Sequence, residues 1–206
     1  MAKKKLDNQT ENAILKAADK IFTKRGFAAA RMEDIAKEAG INRALLHYYF
    51  RSKARLFELV FTGRFREFFS GLSRIITSEK SLREKIEELV VHDITLIRQH
   101  PDLPMFVMQE LSRNPDRLIA HAQQSGTHSG LINTFRAQVS EEVRKGNIRE
   151  IEGGQLLINI MSMAIYPFIA RPMIKAMHQF GDLGFDQMIE VRKKELPEFI
   201  MNALKP

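Results

Sequence analysis

The sequence predicts an all-α chain in two parts, and three observations carry that prediction. Apolar residues recur at three- and four-residue spacings along nearly the whole length. Caps and stop signals cut the chain into helix-sized pieces. No stretch alternates apolar and polar residues as a strand does, and no internal repeat is present. At 206 residues and 44% apolar composition the chain can bury one or two cores.

The elements follow in order. Thr10 is placed to cap a first helix carrying Ile14, Ala17, Ala18, Ile21 and Phe22, which Lys24-Arg25-Gly26 should stop. Met32, Ile35, Ala36 and Ala39 form a second apolar set ending at Gly40. Asn42 is a good N-cap for a short third helix through Leu45, Leu46 and Tyr49 to Phe50. Ser52 opens a fourth, longer helix with Leu56, Leu59, Val60 and Phe61, extending to about Ile76. Ser81-Leu82-Arg83-Glu84 reads as a capping box before Ile86, Leu89, Val90, Ile94 and Ile97. Pro101 stops that helix, and a short one spans roughly Leu103 to Leu111. Asn114-Pro115 is a cap followed by a first-turn proline, and residues 125–130 read as a break. Leu131, Phe135 and Val139 continue toward Gly146. Residues 155–169 are apolar nearly all round, which predicts burial on two sides, one against their own domain and the other against a partner subunit. The last helix, roughly 186–204, contains Pro197, which should kink or split it.

Charge is unevenly placed. Residues 1–64 hold 14 Lys and Arg against 7 Asp and Glu, whereas residues 65–206 hold 18 of each, so the formal charge of +7 sits in the first third. A localised positive field attracts a polyanion: DNA, RNA or an anionic membrane. There is no cysteine, which excludes disulfides and thiolate chemistry. The six histidines, at 47, 92, 100, 121, 128 and 178, form no i, i+4 metal pair. No phosphate loop, nucleophile elbow or zinc-hydrolase motif appears, so neither an enzyme, a metal site nor a cofactor is expected. No apolar run is long enough to span a bilayer and none follows the basic N-terminus, which points to a cytoplasmic protein.

A helix-turn-helix needs a small residue at the helix crossing, a residue tolerating positive φ in the turn, and apolar anchors on either side. Ala36, Gly40, Ile41 and Leu46 supply these in order. The stretch from Gly26-Phe27 through Met32-Glu33-Asp34-Ile35-Ala36-Lys37-Glu38-Ala39-Gly40-Ile41 to Asn42-Arg43-Ala44-Leu45-Leu46-His47-Tyr48-Tyr49-Phe50-Arg51-Ser52-Lys53 resembles the signature of TetR-like (tetracycline-repressor type) transcriptional regulators. Beyond residue 65 the likeness is in length and helix pattern only.

That resemblance implies a three-helix helix-turn-helix DNA-binding domain over residues 1–52. An α-helical ligand-sensing and dimerisation domain follows over 53–206, with the helix at about 53–76 connecting the two. It implies a ligand-responsive transcriptional regulator, a repressor, binding a palindromic operator in double-stranded DNA as a homodimer through residues 43–50. Asn42, Arg43 and Ala44 fall where the family touches base edges or backbone. Arg43 is the best candidate for direct readout, since a guanidinium pairs bidentately with guanine. Tyr48 and Lys53 fall at phosphate-contacting positions. Arg31 stands where the family opens its second helix with a hydroxyl residue, and would make a charge-assisted phosphate bond instead. His47 replaces a common tyrosine and is either a phosphate contact or a bystander. Tyr49 and Phe50 belong to the core. Lys3, Lys4 and Lys5 form either an arm following DNA or a solubilising tail.

In the second part, Gln155, Asn159, Ser162 and Tyr166 recur as one polar stripe on the apolar helix. It either hydrogen-bonds across a dimer or core, or lines a ligand pocket with Met105, Met108, Phe135 and Met163. The structural reading is preferred. The family-level expectation is a small, mostly apolar effector. The competing reading is a helical adaptor whose basic end binds acidic partners or an anionic membrane surface.

Overall fold

The computed structural model describes the backbone of residues 2–101, 103–113, 116, 128–179 and 181–206, with ten helices and no strand among the described residues. The expected Asn114-Pro115 cap and most of the 125–130 break lie outside them. The chain divides into two compact units: residues 1–67 with 106–113, and residues 68–105 with 114–206.

In the first unit, α1 (Ala2–Ala29) buries Ile14, Ala17, Ala18, Ile21 and Phe22, the apolar stripe set by its 3.6-residue period. The helix starts well before Thr10, which lies inside it rather than at its cap. Part of the reason is long-range: the Tyr49 hydroxyl donates to the Asp7 carboxylate and ties down the early turns. Gly26 interrupts α1 with φ 71 and ψ 171, where the stop signal was expected. α2 (Met32–Glu38) ends in a left-handed cap. Ile41 N–H donates to Ala36 O at 3.0 Å and Gly40 N–H to Lys37 O at 3.2 Å, with Gly40 at φ 68. A Cβ on Gly40 would meet nothing within 4 Å, so the obstacle to a side chain is the backbone angle alone. Gly40→Ala is therefore expected to cost about 1–2 kcal/mol in urea unfolding; an unchanged midpoint would show that the turn does not need its positive φ.

α3 (Arg43–Tyr49) follows directly, and α4 (Lys53–Ile76) runs from the first unit's residues into the second's. Leu46 and Phe50 are buried, as are Leu56, Phe57, Val60 and Phe61 of α4. Phe57 meets Phe22 and Phe27 edge-on, with ring centroids 5.0 Å and 4.9 Å apart. Burying a Leu or Phe stabilises by about 1.5–3 kcal/mol, whereas an exposed ion pair contributes about 0–1 kcal/mol. Apolar burial thus holds α3 in place, and its charged residues are left for other work.

The second unit contains α5 (Leu82–Gln99), α7 (His128–Arg144), α8 (Gly153–Ile169), α9 (Arg171–Met177) and α10 (Asp182–Ala203). α6 (Leu103–Arg113) lies between α5 and α7 in sequence. α5 packs against α7, α8 and α10. Ile86, Leu89, Val90 and Ile94 of α5 join Phe135, Val139, Ile160, Phe185, Ile189 and Ile200 in one core. The Ser81–Glu84 capping box forms in both directions, and its bonds hold the Glu84 carboxyl below the usual range. Among the described residues of this unit, two ionisable side chains are buried. The Lys85 ammonium donates to Ile76 O at 2.7 Å and Gln138 Oε1 at 2.8 Å. Asp93 is 0% exposed, neither of its oxygens has a hydrogen-bond partner among the described residues, and burial pushes its carboxyl up to about 7.

One expectation is corrected here. Pro197 does not split the last helix: α10 continues through it. A helix-interior proline costs about 3 kcal/mol, and burial of Leu196 and Ile200 on either side offsets it. On α8, Leu156, Ile160 and Ala164 are buried, while Ile158 and Tyr166 are 58% and 55% exposed in the single chain. No single helix among the described residues is long and apolar enough to cross a membrane.

Candidate nucleic-acid interface

α3 presents one open face. Arg43, Ala44, His47 and Tyr48 are all exposed, Tyr48 to 76%, and their i, i+1, i+4, i+5 spacing makes them neighbours on a helix. Leu46 points the other way, into the core. Tyr49 is half-buried, and its bond to Asp7 raises its hydroxyl pKa. Asn42 is the N-cap: its Oδ1 accepts from Leu45 N–H at 2.8 Å. That leaves its amide NH2 free to donate.

Arg43 is not idle. Its Nη1 donates to Glu33 Oε1 at 2.7 Å, linking the first turns of α2 and α3. Both side chains are 63% exposed, so the pair is a solvated tether rather than a structural bolt. Arg31 is exposed, occupies the N-cap position of α2, and makes no side-chain cap bond there. Lys53 is placed otherwise than expected. It is half-buried, and its ammonium donates to Phe27 O at 2.9 Å, Ala28 O at 3.4 Å and Ala30 O at 3.0 Å, instead of standing open for a phosphate. The structure thus brings Arg31, Asn42, Arg43, Ala44, His47 and Tyr48 to the outside of one unit and turns Lys53 inward.

Residues 14–60 match the family model described as bacterial regulatory proteins, tetR family, and the matched span contains α2, α3 and the exposed face just described. The chain is a TetR-like transcriptional regulator. A transcriptional repressor of Pseudomonas putida, NicS, is 30% identical over 72% of this chain and 64% of its own length. Another curated relative is matched over 51% of its own length. The regulator RutR of Escherichia coli is 28% identical over 95% of this chain and 91% of RutR. A solved regulator of the TetR/AcrR family from Thermobifida fusca superposes with a TM-score of 0.61 over 95% of this chain and 98% of that one; at 19% identity this likeness is one of fold. The curated relatives named here are transcriptional regulators.

The residues expected at an effector pocket differ in exposure. Phe135 is buried in the core at 1% exposure, whereas Met105 and Met108 are exposed. Asn159 accepts a 3.0 Å bond from Gln155 along the stripe, and Ser162 and Tyr166 face outward. The second unit does contain a groove of about 380 Å³, lined mainly by Phe69, Leu72, Ile76, Leu131, Ile132, Leu157, Ile158 and Met161, with Arg136, Glu152 and Gln155. Sequence reasoning missed most of these residues and also missed Glu33. The adjacent glycines were the available signal for the groove: a Cβ on Gly153 would sit 2.7 Å from Arg136 Cα, so the pair lets α8 approach α7 closely. Among the described residues no group of His, Asp and Glu is arranged to hold a metal ion.

Proposed function

We propose that this regulator is a repressor acting in the cytoplasm, a homodimer that reads a palindromic operator through α3 and releases it on binding a small, mostly apolar effector. One observation carries the reading head: Arg43, Ala44, His47 and Tyr48 share a single solvent-facing side of α3. Arg43 is assigned base readout, Arg31 and Tyr48 phosphate contact, and the Asn42 amide a donor contact.

The exposed apolar residues of α8 and α10 support the dimer. Ile158, Tyr166, Val191 and Phe199 are each more than half exposed in the single chain. Large apolar side chains grouped on adjoining helices mark a protein-binding surface. The outward polar stripe would then hydrogen-bond at that interface rather than line a pocket. The groove in the second unit is of a size suited to a small ligand, and its apolar lining matches the proposed effector class.

The test is selection of bound sequences from a random DNA pool with the purified full-length chain. Two related half-sites about 34–36 Å apart are expected for two-fold-related reading heads. Enrichment of an asymmetric site would defeat the dimeric reading, and equal binding to all DNA or to anionic vesicles would defeat the operator reading. Glu33 offers a second check. Glu33→Gln frees Arg43 and deletes a negative charge, so binding to non-operator DNA should rise roughly fivefold, about 1 kcal/mol, and the operator preference should shrink. An unchanged ratio in competition assays would remove Glu33 from recognition.

A further inference from the structure

We infer that Lys53 is a positioning residue, fixing the junction of α1 and α2 to the start of α4 so that Arg31 meets the DNA backbone, and that its ammonium takes no phosphate. Gly26 breaks α1, which leaves the carbonyls of the following residues turned away from a continuing helix. Three of them, on Phe27, Ala28 and Ala30, converge on Lys53 Nζ within 3.4 Å. An ammonium has three N–H donors, and three acceptors are in reach. The same Nζ lies 4.5 Å from the Phe27 ring centroid. One turn further along α4, Phe57 presses edge-on against that ring. Lys53 and Phe57, at i and i+4, therefore hold Phe27 from two sides.

The junction carries a residue that matters for binding. Ala30, whose carbonyl Lys53 holds, is 2% exposed and directly precedes Arg31. α2 has no side-chain cap of its own at Arg31. Its entry is fixed instead by the Lys53 bond to the preceding carbonyl. For Lys53 to reach a phosphate it would have to leave three carbonyls, two of them in part-buried bonds, without their charged donor.

The inference rests on Arg31 being a phosphate contact, and the experiment separates the two claims. Operator affinity of the full-length wild type, Lys53→Met, Arg31→Ala and the double variant is measured across a salt series. Lys53→Met should weaken binding at least about tenfold and lower the slope of log K against log salt by no more than Arg31→Ala does, because it loosens the Arg31 contact and deletes none of its own. Arg31→Ala should lower that slope by about 0.9. The double variant should be weaker by much less than the product of the two effects, since Lys53 acts through Arg31; a general loss of stability would give independent effects. A slope in the double variant about 0.9 below that of Arg31→Ala, unchanged affinity in Lys53→Met, or independent effects would each overturn the proposal. An Arg31→Ala variant with wild-type affinity and slope would sink the assignment of Arg31 and leave the Lys53 slope to decide the phosphate question. If Lys53→Met does not fold, the wild-type complex answers: a Lys53 ammonium resonance coupled to phosphorus on binding DNA overturns the proposal, and one unchanged from the free protein supports it.

Discussion

Arg43→Ala is expected to weaken operator binding by about 1–3 kcal/mol and to relax sequence preference at one base position per half-site. The expectation follows from placement. Arg43 is the first residue of α3, it is well exposed, and a guanidinium forms two parallel bonds to a guanine edge. The fold should not suffer, because α3 is anchored by Leu46 and Phe50 and the tether to Glu33 is solvated. The check is a pair of binding isotherms on the selected site and on variants of each position, with thermal unfolding as a control. Equal losses at every position would make Arg43 a backbone contact, and no loss at all would remove it from the interface.

The second large effect concerns stability and pH. The Asp93 carboxyl is raised to about 7 in the folded chain by burial, against about 3.9 in an unfolded one. Between those values the folded state binds more protons than the unfolded state, so stability falls as pH rises. The destabilisation begins near pH 4, grows toward pH 7 and levels off above it, reaching about 4 kcal/mol at the limit. Asp93→Leu removes the ionisable group and fills similar space. It should raise the unfolding midpoint at pH 8 by far more than at pH 5, measured by urea denaturation at both. A wild-type stability that stays level from pH 5 to pH 8 would contradict the burial of an unpartnered carboxyl there.

Much of the reading head was legible because its determinants are local. Ala36, Gly40 and Leu46 each meet a requirement of the tight turn that few residue types meet, and they lie within eleven residues of one another. Asn42 and the Ser81–Glu84 pair act on backbone groups three residues away, and both formed as expected. The misses involve partners distant in sequence. Lys53 meets carbonyls more than twenty residues earlier, and Tyr49 reaches back to Asp7. Neither side chain differs in type from an exposed one, so no spacing rule separates them. What covers the outward face of α8 was not legible for a related reason: composition gives the apolar content of a helix but not which neighbours cover it. The continuous α10 shows the reverse case, in which packing around Pro197 overrode a sound local rule.

Because Asn42 Oδ1 already accepts from Leu45, on the proposed reading that side chain offers a base chiefly its two N–H donors. Arg43 beside it has no acceptor at all. On that reading the leading edge of the head favours the acceptors guanine O6 and N7, adenine N7 and thymine O4 over the amino groups of cytosine and adenine. Half-sites should carry guanine, adenine or thymine under that edge, and replacing Asn42 with Asp would keep the cap while erasing that side chain's donors.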